Sequence, residues 1–241
     1  MRPGIAIALR AASGLAAVAF LAGAGWYGYD TLARRPIAAV RFTGDTARVP
    51  AAELDRLAAG LRGHEAREVA LPAVRDAVKH LPWVRDCAVR RVFPGTLEVA
   101  IEAYAPLARW DETRLVSVSG EVFAADFDGA LPRFSGPEGT AADMAAAWKG
   151  VAAVAAGLGS AVAELRLSER RAWQAKLASG LTIDLGRGDF EPRLARFAAV
   201  WPRIAAEAAT ATHADLRYPN GFTLRGVAAQ DRKTAPKGRR A

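Results

Sequence analysis

A single cysteine, Cys87, stands in 241 residues, so no intramolecular disulfide and no cysteine-rich zinc site can form. Histidine is scarce too. His64, His80 and His213 are far apart, and none makes an H-x-x-x-H pair or neighbours Cys87. No G-x-S-x-G elbow and no P-loop is present. Gly23–Gly28 formally matches G-x-G-x-x-G, but no strand precedes it and the segment is membrane-like. Internal repeats are absent. The carboxylate pairs Glu98/Glu102 and Asp126/Asp128 read as a solvated strand face and as ordinary turn chemistry. Arg187-Gly188-Asp189 reads as a turn followed by a helix N-cap. Nothing assembles an acid, a base and a nucleophile, and the expectation is a protein that is not an enzyme and needs no cofactor or metal.

The net charge of +8 first suggests nucleic acid. Its distribution argues otherwise. The last eleven residues hold five basic groups and one acid, which is +4 of the total. The rest is mildly basic, without an aromatic-rich RNA motif. Residues 231–241 read as a disordered basic tail, and neither nucleic acid nor a small-molecule substrate is expected.

What the chain does have begins with Ala11–Tyr29, a stretch without a charged residue. Only Leu15, Val18, Phe20 and Leu21 are strongly apolar, so the insertion signal is marginal. Trp26, Tyr27 and Tyr29 cluster at its far end, as interfacial aromatics do. The reading is a short tail, residues 1–10, then a transmembrane helix, residues 11–33. A cleaved signal peptide ending near the small residues at position 25 is the competing reading. The run continues past that site, which favours a retained span.

Residues 81–110 carry the clearest structural pattern. Pro82 ends a helix. Phe93-Pro94-Gly95-Thr96 suits a type II turn with positive φ at Gly95. Leu97, Val99 and Ile101 alternate with Glu98, Ala100 and Glu102, the period of a half-buried strand. Cys87 falls in the preceding strand, as a buried inert thiol. Upstream, Ile37–Thr43 reads as a strand. Helices follow at Pro50, with Leu54, Leu57 and Leu61 on one face, and over Leu71–Leu81, with Val74 and Val78 aligned. Two helices on one face of a three-stranded sheet is the natural solution for residues 36–104.

Residues 105–230 read as a larger α+β domain dominated by antiparallel strands. A hairpin over Leu115–Phe123 turns at Ser119-Gly120. A helix spans Ala141–Leu158. Strands over Leu165–Leu185 break at Ala178-Ser179-Gly180. A helix begins at Asp189, with Leu194, Phe197, Trp201 and Ile204 as its apolar stripe and Pro202 as a source of a kink. A last strand pair, Ala214–Arg225, turns at Pro219-Asn220-Gly221. Its edge offers unpaired backbone groups to a partner strand. Arg217 and Tyr218 beside that turn are candidate specificity residues. The opposing reading makes Tyr218 core and Arg217 a solvated charge, whose reversal leaves the fold nearly unchanged.

The segments LPWVRDCAVRRVFPGTLEVAIEAYAPLARW, SERRAWQAKLASGLTIDLGRGDFEPRLARF and DLRYPNGF, in this order, resemble the FtsQ/DivIB family of bacterial cell-division proteins. The resemblance runs over about residues 11–226. It implies a POTRA domain over 36–104, a β domain over 105–230 and a single-pass inner-membrane protein. Its N-terminus would be cytoplasmic and its domains periplasmic, enriched at the division septum. It further implies a non-enzymatic scaffold, with the POTRA domain linked to septal recruitment. The last strand of the β domain would bind FtsB by strand addition, with FtsL in the same complex. Carried over by motif, Arg217, Tyr218, Asn220 and Gly221 fall in the partner-binding region, and Arg170 at a neighbouring contact. Some members have tryptophan where this chain has Gly226, and Phe222 is the candidate replacement. A POTRA-bearing outer-membrane assembly or secretion factor is the alternative reading, and an exported enzyme the third.

Overall fold

The computed structural model describes residues 3–33 and 36–226. The chain divides into two compact units between Tyr104 and Ala105. The expected basic tail, residues 231–241, lies outside the described residues.

The first helix, α1, runs from Pro3 to Ala33. Proline is tolerated in a first helical turn, and alanine-rich sequence favours propagation. The helix reaches back through most of residues 1–10, expected as a tail. Among the described residues no helix is long and apolar enough to cross a membrane. Alanine and glycine supply nearly half of α1 and contribute little transfer free energy per residue. Its described side chains Val18, Phe20, Leu21, Trp26, Tyr27 and Tyr29 are nevertheless exposed.

The rest of the first unit follows the expected order. It comprises β1 (Ala39–Gly44), α2 (Ala51–Leu61), α3 (Leu71–Lys79), β2 (Val84–Val92) and β3 (Thr96–Ala103). The sheet order is β1-β3-β2. β1 runs parallel to β3, with Phe42 opposite Val99, and β2 runs antiparallel to it, with Val89 opposite Val99. Leu97, Val99 and Ile101 are buried, and α3 covers them with Val74 and Val78 while α2 contributes Leu54 and Ala58. Cys87 is buried, and burial pushes its thiol pKa up, away from the reactive thiolate. Glu102 is exposed and Glu98 half-buried, and each is engaged by a β2 arginine. Arg90 reaches Glu98 at 2.9 Å and Arg85 reaches Glu102 at 2.5 Å. At the hairpin turn Gly95 has the expected positive φ, +72°, and the Phe93–Pro94 peptide is cis. Two boundaries also move. β1 starts at Ala39, because the Ile37 amide bonds His64 O instead of a strand partner. α3 stops at Lys79, with His80 as its cap.

The second unit holds β4 (Pro106–Arg109), β5 (Arg114–Ser117), β6 (Val122–Ala124), β7 (Arg133–Ser135), α4 (Ala141–Gly157), β8 (Val162–Leu167), β9 (Ala172–Leu177), β10 (Thr182–Arg187), α5 (Glu191–Ile204), β11 (His213–Asp215) and β12 (Thr223–Arg225). Its sheet has nine strands among the described residues, ordered β12-β11-β10-β9-β8-β7-β4-β5-β6. Antiparallel pairs dominate it as expected, five against three parallel. β4 with β7, β7 with β8, and β10 with β11 pair in parallel. α4 and α5 are the crossovers that return the chain for the latter two pairs. Short β4 and β7 escaped the sequence reading because strands of this length show no resolvable alternation. α4 and α5 pack together over a core of Phe134, Met144, Leu165, Leu167, Ile183, Leu185, Phe197 and Leu216. The alternate strand positions carry Glu164, Arg166, Gln174, Lys176, Thr182, Asp184 and His213. On that face Asp184 accepts from Gln174 at 2.7 Å and pairs with His213 Nε2 at 2.8 Å.

Candidate partner-binding surface

Strand directions decide which loops share an end of this sheet. β9 is antiparallel to β8 and β10, β11 is parallel to β10, and β12 is antiparallel to β11. The C-terminal ends of β8, β10 and β11 therefore meet the starts of β9 and β12. This brings the Ser168–Arg171 turn to the same end as the 216–222 connection. Two strand spacings separate them, about 10 Å. Arg170 is exposed in that turn, and its neighbour Arg171 pairs with Asp143 of α4 at 2.9 Å.

The expected site residues Arg217, Tyr218, Asn220, Gly221 and Phe222 lie in the connection, between β11 and β12, and not within a strand. The reason is local. Pro219 has no amide hydrogen for a ladder, and Asn-Gly favours a turn. Among the described residues β12, immediately after these residues, is one edge strand of the sheet, and β6 is the other.

Arg217 is not a freely solvated charge. Its Nε and Nη2 donate to Oδ1 and Oδ2 of Asp215 at 2.9 and 2.6 Å, and its backbone amide donates to Oδ1 at 3.0 Å. Asp215 is only 2% exposed. The Arg217 hydrogen bonds hold its carboxyl below the ordinary carboxylate value against the opposing effect of burial. The same bonds raise the Arg217 pKa further above its already high value. The stem of Arg217 crosses β10 at a bulge. There Gly186 has φ +78°, and a Cβ in its place would meet Arg217 Cγ at 3.1 Å. Glycine thus serves both the backbone angle and the close approach.

Tyr218 is 52% exposed, so its reading as core is overturned. Phe222, the candidate aromatic replacement, is turned inward. Its ring stands edge-on to buried Phe197 with centroids 5.0 Å apart. The exposed aromatic at this end is Tyr218. Asn220 is exposed and Gly221 half-buried. Arg196 of α5 donates to Pro219 O and ties the connection to the helix. Asp189 accepts the Glu191 amide at 3.1 Å, although the helix itself starts after Phe190.

Asp215, Gly186 and Arg196 were not singled out from sequence. One signal was available for Asp215. In Asp215-Leu216-Arg217 the charged residues are two apart, which places them on one face of an extended chain. The contacts of Gly186 and Arg196 depend on long-range packing and leave no local trace.

The site holds a rigid, basic and aromatic surface beside an unpaired strand edge. It offers backbone and guanidinium donors and no nucleophile beside a base. Among the described residues no three His, Cys, Asp or Glu side chains gather to hold a metal ion.

Residues 35–104 match the family model for the POTRA domain, FtsQ-type, and residues 108–217 match that for cell division protein FtsQ/DivIB, C-terminal. The chain belongs to the FtsQ/DivIB family. Cell division protein FtsQ of Burkholderia pseudomallei is 37% identical over 231 residues, which cover 91% of each chain. That of Xanthomonas campestris pv. campestris is 35% identical over 222 residues, covering 88% of this chain and 78% of the relative. That of Vibrio cholerae is 30% identical over 196 residues, covering 79% and 75%. Residues 35–104 are thus an FtsQ-type POTRA domain and the protein a member of a cell-division family. The alternative reading, an outer-membrane assembly or secretion factor, gives way to this membership.

Proposed function

We propose that this FtsQ-family protein is a non-catalytic scaffold of the division machinery, anchored in the inner membrane by α1 with both units in the periplasm. The anchor reading rests on α1 carrying exposed apolar and aromatic side chains that no part of the described chain covers. The partner reading rests on one observation above all. Arg170, Arg217 and Tyr218 come to the same end of the sheet, next to the free edge of β12. FtsB is the proposed partner, adding a strand to β12 while its side chains meet Tyr218 and the arginines, with FtsL in the same complex.

The test is Tyr218→Ala in the purified β domain. With half its surface exposed, Tyr218 should leave the melt nearly unchanged when truncated, while FtsB binding weakens by about 2 kcal/mol, as loss of an aromatic hot spot does. Unaltered binding by the folded variant would remove this end of the sheet as the interface. Fluorescently tagged protein in dividing cells should concentrate at midcell.

A further inference from the structure

Outside α1, Phe93 is one of few large apolar side chains left in solvent, 55% exposed at the tip of the β2–β3 hairpin. Its position explains what it is for. Two residues separate Ala33, the end of α1, from Pro36, so three backbone steps give a reach of at most about 11 Å. Pro36 bridges to Glu65, Ile37 N–H donates to His64 O at 2.9 Å, and Ala38 N–H donates to Gly95 O at 2.8 Å. The chain leaving α1 is therefore pinned at once to the hairpin tip and to the 63–65 loop. Gly95 makes the approach feasible, since a Cβ there would stand 2.8 Å from Pro36 O. The aromatic end of α1 comes to the same place. Tyr29 and Phe93 line one cavity of about 120 Å³, together with Arg67 and Arg91.

The charges around the tip are of both signs, with Glu65 and Glu68 in the same loop as Arg67. Arg91 donates to the carbonyls of Ala66 and Val69, both at 2.7 Å, and no carboxylate pairs with it among the described residues. Arg62, at the end of α2, is exposed. Arg67 reaches Asp30 at 3.3 Å, and Arg90 is paired with Glu98. An exposed aromatic that shares a cavity with Arg67 and Arg91, next to the aromatic end of α1, has the chemistry of an interfacial anchor. The ring enters the headgroup layer while the arginines meet lipid phosphates.

We propose that the hairpin tip at Phe93 and Pro94, beside Arg67 and Arg91, docks on the membrane surface from which α1 emerges. This rests on α1 being membrane-anchored. It would hold the POTRA domain at a fixed tilt on the bilayer.

The test uses the full chain in phosphatidylcholine/phosphatidylglycerol vesicles, in phosphatidylcholine vesicles and in detergent. A nitroxide on Thr96→Cys, in a Cys87→Ala background, reports collision with a water-soluble nickel complex. The label should be shielded in the anionic vesicles. Phe93→Ser should raise its accessibility severalfold, and it alters an exposed side chain, so the fold should hold. Equal accessibility in all three media, with the protein resisting carbonate extraction, would overturn the docking and leave the anchor intact. Release by carbonate would overturn the anchor reading and the docking with it. Shielding that persists in detergent and grows with protein concentration would assign the tip to a second copy of the chain and overturn the proposal.

Discussion

Asp215 keeps its charge in a place where a lone carboxylate would not stay ionised. It does so because Arg217 supplies two guanidinium hydrogen bonds and a backbone amide. The consequence contradicts the simple picture of Arg217 as a surface charge. Arg217→Glu would set a carboxylate against buried Asp215, so the variant should melt at a lower temperature than wild type, while Arg217→Lys should fall between them. Partner-binding measurements on Arg217→Glu therefore need a folding control that Tyr218→Ala does not. A second carboxylate gives a cleaner pH test. Asp111, in the turn between β4 and β5, accepts the amides of Thr113 and Arg114 at 2.9 and 2.7 Å and pairs with Arg114 Nε at 2.5 Å. The Thr113 amide and the Arg114 side chain pull its pKa from 3.8 down to about 2. A depressed folded value means the contribution is complete above the unfolded pKa and is lost as pH falls through the folded one. The stability difference between wild type and Asp111→Ala should be constant above pH 3.8 and shrink towards pH 2. Carboxyl NMR titration should place the Asp111 midpoint near the lower value.

At the scale of elements, what the sequence disclosed was periodicity, and what it withheld was pairing. The β3 alternation of Leu97, Val99 and Ile101 was legible because one face is buried and the other faces water. The Leu194–Phe197–Trp201 stripe of α5 was legible for the same reason. The parallel joins of β10 with β11 and β7 with β8 were not, since strand direction depends on which partner a crossover brings alongside. The candidate site was legible as a list of residues and not as a geometry. Residues 216–218 and 222 were read as strand on either side of the Pro219-Asn220-Gly221 turn, and Phe222 as a partner anchor, because an aromatic after an Asn-Gly turn suits either side of the sheet. The ring pair of Phe222 with Phe197 decides the matter. Phe222→Ala should lower the stability of the β domain by about 2 kcal/mol, below the full range for buried phenylalanine because the ring is only partly buried. Chemical denaturation of that domain measures it. An unchanged midpoint would return Phe222 to the list of partner contacts.

At the scale of the whole chain, each unit has a core of its own. That of the POTRA domain is built on Leu97, Val99 and Ile101 against α3, and that of the β domain on Phe134, Leu165 and Phe197 against α4 and α5. Units with separate cores unfold as separate cooperative transitions unless their interface is large and apolar. Val99 tests this, because it has no exposed surface and lies at the centre of the three-stranded sheet, between Phe42 and Val89. Val99→Asp would bury a carboxylate without a partner, at a cost of at least about 4 kcal/mol, comparable with the total stability of so small a domain. Calorimetry of residues 37–230 should show the POTRA transition lost or shifted far down, and the β-domain transition kept at its wild-type temperature. FtsB binding by the same variant should persist, because the proposed contacts all lie in the β domain. Joint collapse of both transitions would mean that the two units fold as one. Survival of the POTRA transition would mean that the strand register placing Val99 inward is wrong.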